Sequence, residues 1–170
     1  STPHVTEYLS CRPEQHPRIC IYSSGLDSAA GLATQLRTRK SDMLTVTTYH
    51  QASQDKRVPE QLRQLAFRYG VDVRSIIVRT ALRSVPLLQK QELTQRCRSF
   101  LFAAMAGAVA CAEQSSSIEV YESGVGAINL PLMHGMATGA RTTKSTHPHF
   151  LRLMSDLVSR VAERRIDLFL

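Results

Sequence analysis

The sequence lacks several features by which common protein classes are recognised. It has no tryptophan, and only 6% of its 170 residues are aromatic. No apolar run approaches the roughly 20 residues of a membrane-spanning helix, so we expect no membrane partner. The first residues are polar and contain prolines, which argues against a secretory signal peptide. We therefore expect a cytoplasmic globular protein.

The cysteines lack the paired spacing of a structural metal site. They lie at positions 11, 20, 97 and 111, and no two are separated by only two residues. His134, His147 and His149 lie close in sequence but have no accompanying cysteine or carboxylate pattern, whereas zinc needs three or four converging ligands. We predict free thiols in a reducing compartment and no bound zinc.

Negative charge is also in short supply. Lys and Arg number 21 against 14 Asp and Glu, which gives a formal charge of +7. This excess favours anionic partners such as nucleotides, RNA or an acidic protein. The positive residues form no single tract, and we interpret the densest group, Arg160, Arg164 and Arg165, as a solvated helix face. Nucleic acid is therefore not an expected partner.

The chain length suits one domain over residues 1–170, with an irregular lead-in over 1–17. Because the chain begins at Ser1 without methionine, we interpret it as processed or as part of a longer protein. Apolar patterns predict strands at 19–22, 44–48, 73–78 and 118–121. Helices are predicted after the turn at 23–27, from Pro59 to Gly70, over 91–113 and from Pro148 onward, with loops at 49–58 and 122–147.

This alternation predicts an α/β fold, a parallel sheet with helices on both faces joined by right-handed crossovers. Ligands of such sheets bind at the carboxyl ends of the strands. The turn that follows the first strand and the loop 122–147 both begin at that edge. Four of the eight glycines fall in this loop, at 124, 126, 135 and 139, and a loop of that length is usually functional or disordered.

The turn Ser23-Ser24-Gly25-Leu26-Asp27-Ser28 joins a predicted strand to a predicted helix. Free N–H groups at a helix N-terminus bind anions, and the helix dipole adds to the attraction. Gly25 permits close approach of the backbone, and the serines add hydroxyl donors. Asp27 is compatible with phosphate when Mg²⁺ lies between them, or it caps the helix. The bland alternative is an ordinary helix N-cap without a ligand.

This turn resembles the Ser-Gly-Gly-x-Asp-Ser motif of PP-loop ATP pyrophosphatases. The resemblance implies an adenine nucleotide alpha hydrolase-like fold, ATP and Mg²⁺ as cofactors, and cleavage of ATP to AMP and pyrophosphate. Ser24 stands where the family has its first glycine. A serine fits this position without strain if its φ is negative, so we interpret the departure as tolerated.

Further segments extend the resemblance over most of residues 18–160. Leu44–Gln51 is similar to the second strand of 7-cyano-7-deazaguanine synthases, and Arg98–Phe102 is similar to a helix start in them. Residues 122–131 and 146–148 most resemble the synthase-like proteins of bacterial antiphage defence operons. The four-cysteine zinc site of the synthases has no counterpart here.

The resemblance assigns roles to individual residues. It implies Asp27, Ser28 and Arg98 as catalytic residues. The nucleotide would contact Ser23, Ser24, Gly25, Leu26, Asp27, Ser28 and Thr47, and the acceptor substrate would contact Glu122, Gly126, Asn129, Arg141, Lys144, Thr146 and His147. For Arg98 and His147, a place on a helix surface is an equal alternative.

Three functions remain open from the sequence. The first is adenylation of a deazaguanine-type carboxylate, followed by amide or nitrile formation with a nitrogen nucleophile. In the defence branch that nucleophile would be a protein amine, and the acceptor protein would be encoded nearby. The second is a tRNA-modifying PP-loop enzyme. The third is a nucleotide-binding interaction module that has lost catalysis.

Overall fold

A computed structural model describes residues 16–39, 43–49, 54–80, 98–122 and 146–170. Five strands form one sheet in the order β3-β2-β1-β4-β5, and every neighbouring pair is parallel. The strands are β1 (Arg18–Ile21), β2 (Met43–Tyr49), β3 (Val73–Arg79), β4 (Ser117–Val120) and β5 (Asp167–Phe169). The helices of the described residues are α1 (Leu26–Arg39), α2 (Gln54–Tyr69), α3 (Arg98–Ala112) and α4 (Pro148–Val161). The predicted α/β architecture is confirmed.

Each face of the sheet carries its own apolar core. On one face, side chains of β1 and β2 pack with α1 and α2, around the buried residues Cys20, Tyr22, Leu32, Leu36, Met43, Val58 and Leu62. On the other face, α3 and α4 cover β1, β2, β4 and β5. Because both faces are covered, the central strand β1 continues as an apolar run from Ile19 to Tyr22, which is typical of parallel sheets.

Close contact between α3 and α4 depends on a glycine. A Cβ added at Gly107 would lie 2.7 Å from Cγ2 of Val158, which is closer than van der Waals contact allows. The sequence predicted that small residues of this helix allow close packing on the sheet. At Gly107 the small residue instead allows α4 to pack closely against α3. The predicted start of that helix, 91–97, lies outside the described residues.

Gly107→Ala is expected to lower the melting temperature because the new methyl group overlaps Val158. Overpacking of this kind costs about 1–3 kcal/mol, and a helical alanine recovers up to about 1 kcal/mol. A loss of about 1 kcal/mol corresponds to about 2–4 °C in a domain of this size. Thermal unfolding checks this, and the loss should disappear when Val158 is also changed to alanine. A full loss in that second background would contradict the assignment to this contact.

The start of α2 differs from the prediction. The helix begins at Gln54, so Pro59 lies inside it, and the prediction of a loop over 49–58 with Pro59 as the first helical residue is wrong. A proline this close to the start removes only one hydrogen bond, the one to the carbonyl of residue 55. Val58 is fully buried, which shows that packing on the sheet stabilises the extra turn.

The strand β5 was not predicted from the sequence. Its three residues pair with β4, with Asp167 next to Ser117 and Leu168 next to Ile118. Serines of α4 also hold it, since the N–H of Leu168 donates to Ser155 Oγ at 2.7 Å and the N–H of Ile166 donates to Ser159 Oγ at 2.9 Å. A strand this short is defined by tertiary partners, which a sequence pattern does not reveal.

No helix of the described residues is long and apolar enough to span a membrane.

Candidate phosphate site at the sheet switch point

The turn at 23–28 lies where the direction of the sheet reverses. From β1 the chain passes through α1 to β2 on one side, and it returns through α3 to β4 on the other side of β1. Ile21, the last residue of β1, is paired with both Val46 and Val120. Such a switch point opens a crevice at the carboxyl ends of the two diverging strands, and this crevice is where α/β sheets bind their ligands.

Serine hydroxyls fix the shape of this turn. Ser28 Oγ donates to the carbonyl of Gly25 at 3.0 Å, and it lies 3.2 Å from Ser23 Oγ. The N–H of Gly25 donates to Ser23 Oγ at 3.4 Å, and the N–H of Ala29 makes the first helical bond to the Gly25 carbonyl at 3.1 Å. By helix geometry, the N–H groups of Leu26, Asp27 and Ser28 have no intrahelical acceptor. No acceptor outside the helix binds them within the described part of the chain, so these three groups are available there to an anion.

Ser24 adopts a left-handed backbone conformation with φ 61°. The condition of a negative φ, under which a serine fits here without strain, is therefore not met. The turn needs a left-handed residue here, a conformation that glycine adopts without cost and other residues adopt at about 1–2 kcal/mol. The serine adopts this conformation without the freedom of glycine, so it carries local strain.

Ser24→Gly is expected to stabilise the protein slightly. Release of the left-handed strain is worth about 1–2 kcal/mol, and the added freedom of the unfolded glycine removes about 0.4–1 kcal/mol of this. Chemical denaturation should show a gain of about 0.5–1 kcal/mol. Ser23→Gly is the control, and it should lose stability because Ser23 Oγ accepts the Gly25 N–H. A clear loss with Ser24→Gly would show that the side chain contributes more than the strain costs.

Asp27 lies within the first turn of α1, and its side chain is exposed. The carbonyl of Gly25 accepts the first helical hydrogen bond, so Gly25 is the N-cap residue and Asp27 lies inside the helix. The alternative in which Asp27 is the N-cap is therefore wrong. A carboxylate at this end of a helix is stabilised by the dipole and remains accessible to a cation. Among the described residues no group of three or more His, Cys, Asp or Glu side chains is arranged to bind a metal by itself.

Thr47 lies on β2 immediately after Val46, the residue whose carbonyl accepts the N–H of Tyr22 at 3.0 Å. Its side chain is 1% exposed, and its hydroxyl has no hydrogen-bond partner among the described residues. A buried hydroxyl without a partner costs free energy, so such groups call for a ligand or another explanation. The residue thus offers a free polar group close to the turn.

Arg98 is the first residue of α3, and its guanidinium lies 5.5 Å from the centre of the Phe102 ring. The N-termini of α1, α3 and α4 all lie at the carboxyl edge of the parallel sheet, because crossover helices run opposite to the strands. A cation is unfavourable beside the positive end of a helix dipole. An anion at this edge would offset that repulsion.

The proposed acceptor residues are described only in part. Glu122 follows β4 at the same edge, and Thr146 is buried just before α4. His147 caps α4, since its Nδ1 accepts the N–H of His149 at 3.1 Å. Gly126, Asn129, Arg141 and Lys144 lie outside the described residues, as does most of the loop expected to close over the site.

A buried polar network beside the turn was missed by the sequence analysis. Glu119 is 1% exposed on β4, and it forms an ion pair with Arg18 and a hydrogen bond with the Tyr121 hydroxyl. The Tyr121 ring covers Gly31 of α1, where an added Cβ would lie 2.1 Å from Tyr121 Cγ. A glutamate inside an apolar strand was the available sequence signal. The network joins β4 to α1 across the switch point.

Two other features have no place in the site. Burial raises the pKa of the Cys20 thiol, which keeps it protonated and unreactive. The described chain also carries an open groove of about 750 Å³ between α4 and β5, lined by Leu151, Ser155, Leu168 and their neighbours. This groove follows β5 at the outer edge of the sheet, away from the switch point between β1 and β4, and its lining includes both acidic and basic side chains.

The parallel sheet, its strand order and its helices on both faces define a Rossmann-like α/β fold. No protein-family model and no curated protein matches the sequence. Among solved structures, it is similar to lactate dehydrogenase from Eimeria maxima with NADH and oxamate, at 10% identity and a TM-score of 0.48. The match covers 92% of this chain and 44% of the dehydrogenase, so the chain spans less than half of that protein. A short-chain dehydrogenase from Oenococcus oeni PSU-1 matches at 12% identity and a TM-score of 0.35, over 91% and 76% of the two chains.

Proposed function

We propose that this chain binds ATP at the turn 23–28 and cleaves it to AMP and pyrophosphate while activating a carboxylate. The observation that carries the proposal is the turn itself. It presents the N–H groups of residues 26–28 and the exposed hydroxyl of Ser23 at the switch point of a parallel sheet, and Ser28 holds the turn through its bond to the Gly25 carbonyl. The resemblance of the same six residues to the PP-loop motif supports ATP over other anionic ligands.

The turn supplies contacts for the leaving pyrophosphate. Backbone N–H donors at a helix N-terminus match phosphate oxygens without the reorganisation that mobile side chains require. The free hydroxyl of Thr47 is suited to a polar group of the nucleotide. Asp27, exposed at the same helix end, would hold Mg²⁺, which supplies charge neutralisation of the phosphates when it is bound.

The reaction would run in two balanced steps. A carboxylate oxygen of the substrate forms a bond to the α-phosphorus, the bond from that phosphorus to the bridging oxygen breaks, and pyrophosphate leaves. A nitrogen nucleophile then attacks the acyl carbon of the adenylate, AMP leaves and a proton is released, which gives an amide. A nitrile would require a second ATP: the amide oxygen bonds to its α-phosphorus with loss of pyrophosphate, and AMP then leaves with that oxygen while the nitrogen loses its two protons. Arg98 would stabilise charge on the α-phosphate. The acid would be of the 7-deazaguanine class, and the nucleophile would be ammonia or a protein amine.

Variants of the proposed acceptor residues test whether ATP and the acceptor substrate are bound by separate sets of residues. We expect Glu122→Ala, Asn129→Ala and His147→Ala to retain ATP binding and to lose product formation by at least about tenfold, because they would hold the second substrate. ATP binding is measured by calorimetry, and pyrophosphate release is measured with candidate acids. Unchanged turnover in all three would refute the acceptor assignment.

Two other results would favour the alternative functions. Salt-dependent tRNA binding with base modification would favour the tRNA-modifying enzyme, and ATP binding without any cleavage would favour the interaction module.

A further inference from the structure

Helix α3 is apolar all round, although part of it is open to solvent. Its 15 residues read RSFLFAAMAGAVACA, and the first of them, Arg98, is the single charged residue of the helix. Phe100 is 49% exposed, and Ala108 and Ala112 are also exposed. A helix that meets water normally carries polar residues on that side, whereas a helix that is apolar all round is normally buried. The pattern indicates that the outer side of α3 is covered in the working protein.

Helix α4 continues the same surface. It packs beside α3 at Gly107 and Val158, and Leu153, Leu157 and Val161 follow one another on its outer side at intervals of four residues. These side chains are 51%, 43% and 75% exposed. With Phe100 they form the α3/α4 outer face, which is defined by these four residues. Clustered exposed apolar residues of this kind mark protein interfaces.

Opposite charges flank this face. Asp156 and Arg160 are exposed, lie one turn apart on α4, and stand on the same side of the line of apolar residues. Within the described part of the chain, neither side chain has a hydrogen bond or an ion pair. A surface that carries an apolar line and one free charge of each sign beside it is complementary to itself.

We propose that the α3/α4 outer face binds a second copy of this chain across a twofold axis near Leu157. The two α4 helices then run antiparallel, so that Leu157 meets its own copy and Leu153 faces Val161. The same operation places Asp156 of each copy beside Arg160 of the other, because residues on one side of a helix stay on that side about such an axis. Contacts of this reciprocal kind are the common form of a homodimer interface.

Solution mass tests the proposal first. Sedimentation analysis of the 170-residue chain at tens of micromolar should give twice the 18.9 kDa chain mass. Leu157→Asp should weaken the dimer by at least about tenfold, since it puts charge at the centre of an apolar contact. The matched control is Phe67→Asp on α2, where the phenyl ring is 90% exposed on the opposite layer, and it should have no effect. A monomeric parent, or a dimer that Leu157→Asp leaves intact, would overturn the proposal.

Charge reversal gives a test that does not depend on removing an apolar residue. Asp156→Arg makes the flank all positive, and Arg160→Asp makes it all negative, so each variant alone should dimerise at least about tenfold more weakly than the parent. An equimolar mixture should form a heterodimer with the parental affinity, because every reciprocal pair is again opposite in charge. Failure of the mixture to associate more tightly than either variant would contradict this geometry. Circular dichroism confirms that both variants are folded.

Discussion

Asp27→Ala is expected to lower AMP formation by at least about 100-fold while leaving the fold intact. Asp27 is exposed in the first turn of α1, so its removal creates no cavity. If it holds Mg²⁺ against the phosphates, its loss removes charge neutralisation of the leaving group, and contributions of that kind are typically worth 10²–10³ in rate. The assay is AMP formation from ATP, followed by chromatography of the nucleotides.

The control is Asp72→Ala, which removes another exposed carboxylate in the turn between α2 and β3. It should retain full activity. Ser28→Ala should reduce the rate less than Asp27→Ala, because the variant loses the bond to the Gly25 carbonyl and one hydroxyl but no charge. If Asp27→Ala and Ser28→Ala both form AMP at the parental rate, the nucleotide site lies elsewhere.

Gly31→Ala is expected to destabilise the protein by about 2–3 kcal/mol. The new Cβ would lie 2.1 Å from Cγ and 2.6 Å from Cβ of Tyr121, and these atoms are too near the backbone to swing away. Helix α1 would have to move relative to β4, which would also disturb the turn that begins α1. Urea denaturation measures the loss, and nucleotide binding should weaken in parallel.

The effect of Gly31→Ala on stability should change sign when Tyr121 is also replaced, and this identifies the contact responsible. With Tyr121 changed to alanine, Gly31→Ala should stabilise the protein by up to about 1 kcal/mol, because alanine is the better helix former once the ring is gone. A destabilisation of similar size in both backgrounds would show that Gly31 is required for a reason other than the Tyr121 contact.

Local sequence pattern was sufficient where structure is decided locally. The strand β1 reads as an apolar run, the strand-turn-helix order placed the turn 23–28, and Pro148 marked the first residue of α4. These features depend on near neighbours and on burial. The same pattern also indicated that the turn and the start of the loop at 122 lie at one edge of the sheet.

Features set by distant residues were not predictable in this way. The strand β5 is held by Ser155 and Ser159 of α4, and the first turn of α2 is held by burial of Val58. The left-handed conformation of Ser24 is imposed by the turn against the preference of serine. The contact of Tyr121 with Gly31 joins residues 90 positions apart, and no local signal marks it.

The central claim is that ATP binds at this turn and is cleaved between its α- and β-phosphates. The most direct measurement is to incubate the chain with ATP, Mg²⁺, a 7-deazaguanine carboxylic acid and an ammonium salt as the nitrogen nucleophile, and to separate the nucleotide and phosphate products. The account predicts AMP and pyrophosphate in equal amounts, formed by the parent and lost in Asp27→Ala. Formation of ADP and phosphate, or parental AMP formation by Asp27→Ala, would contradict it.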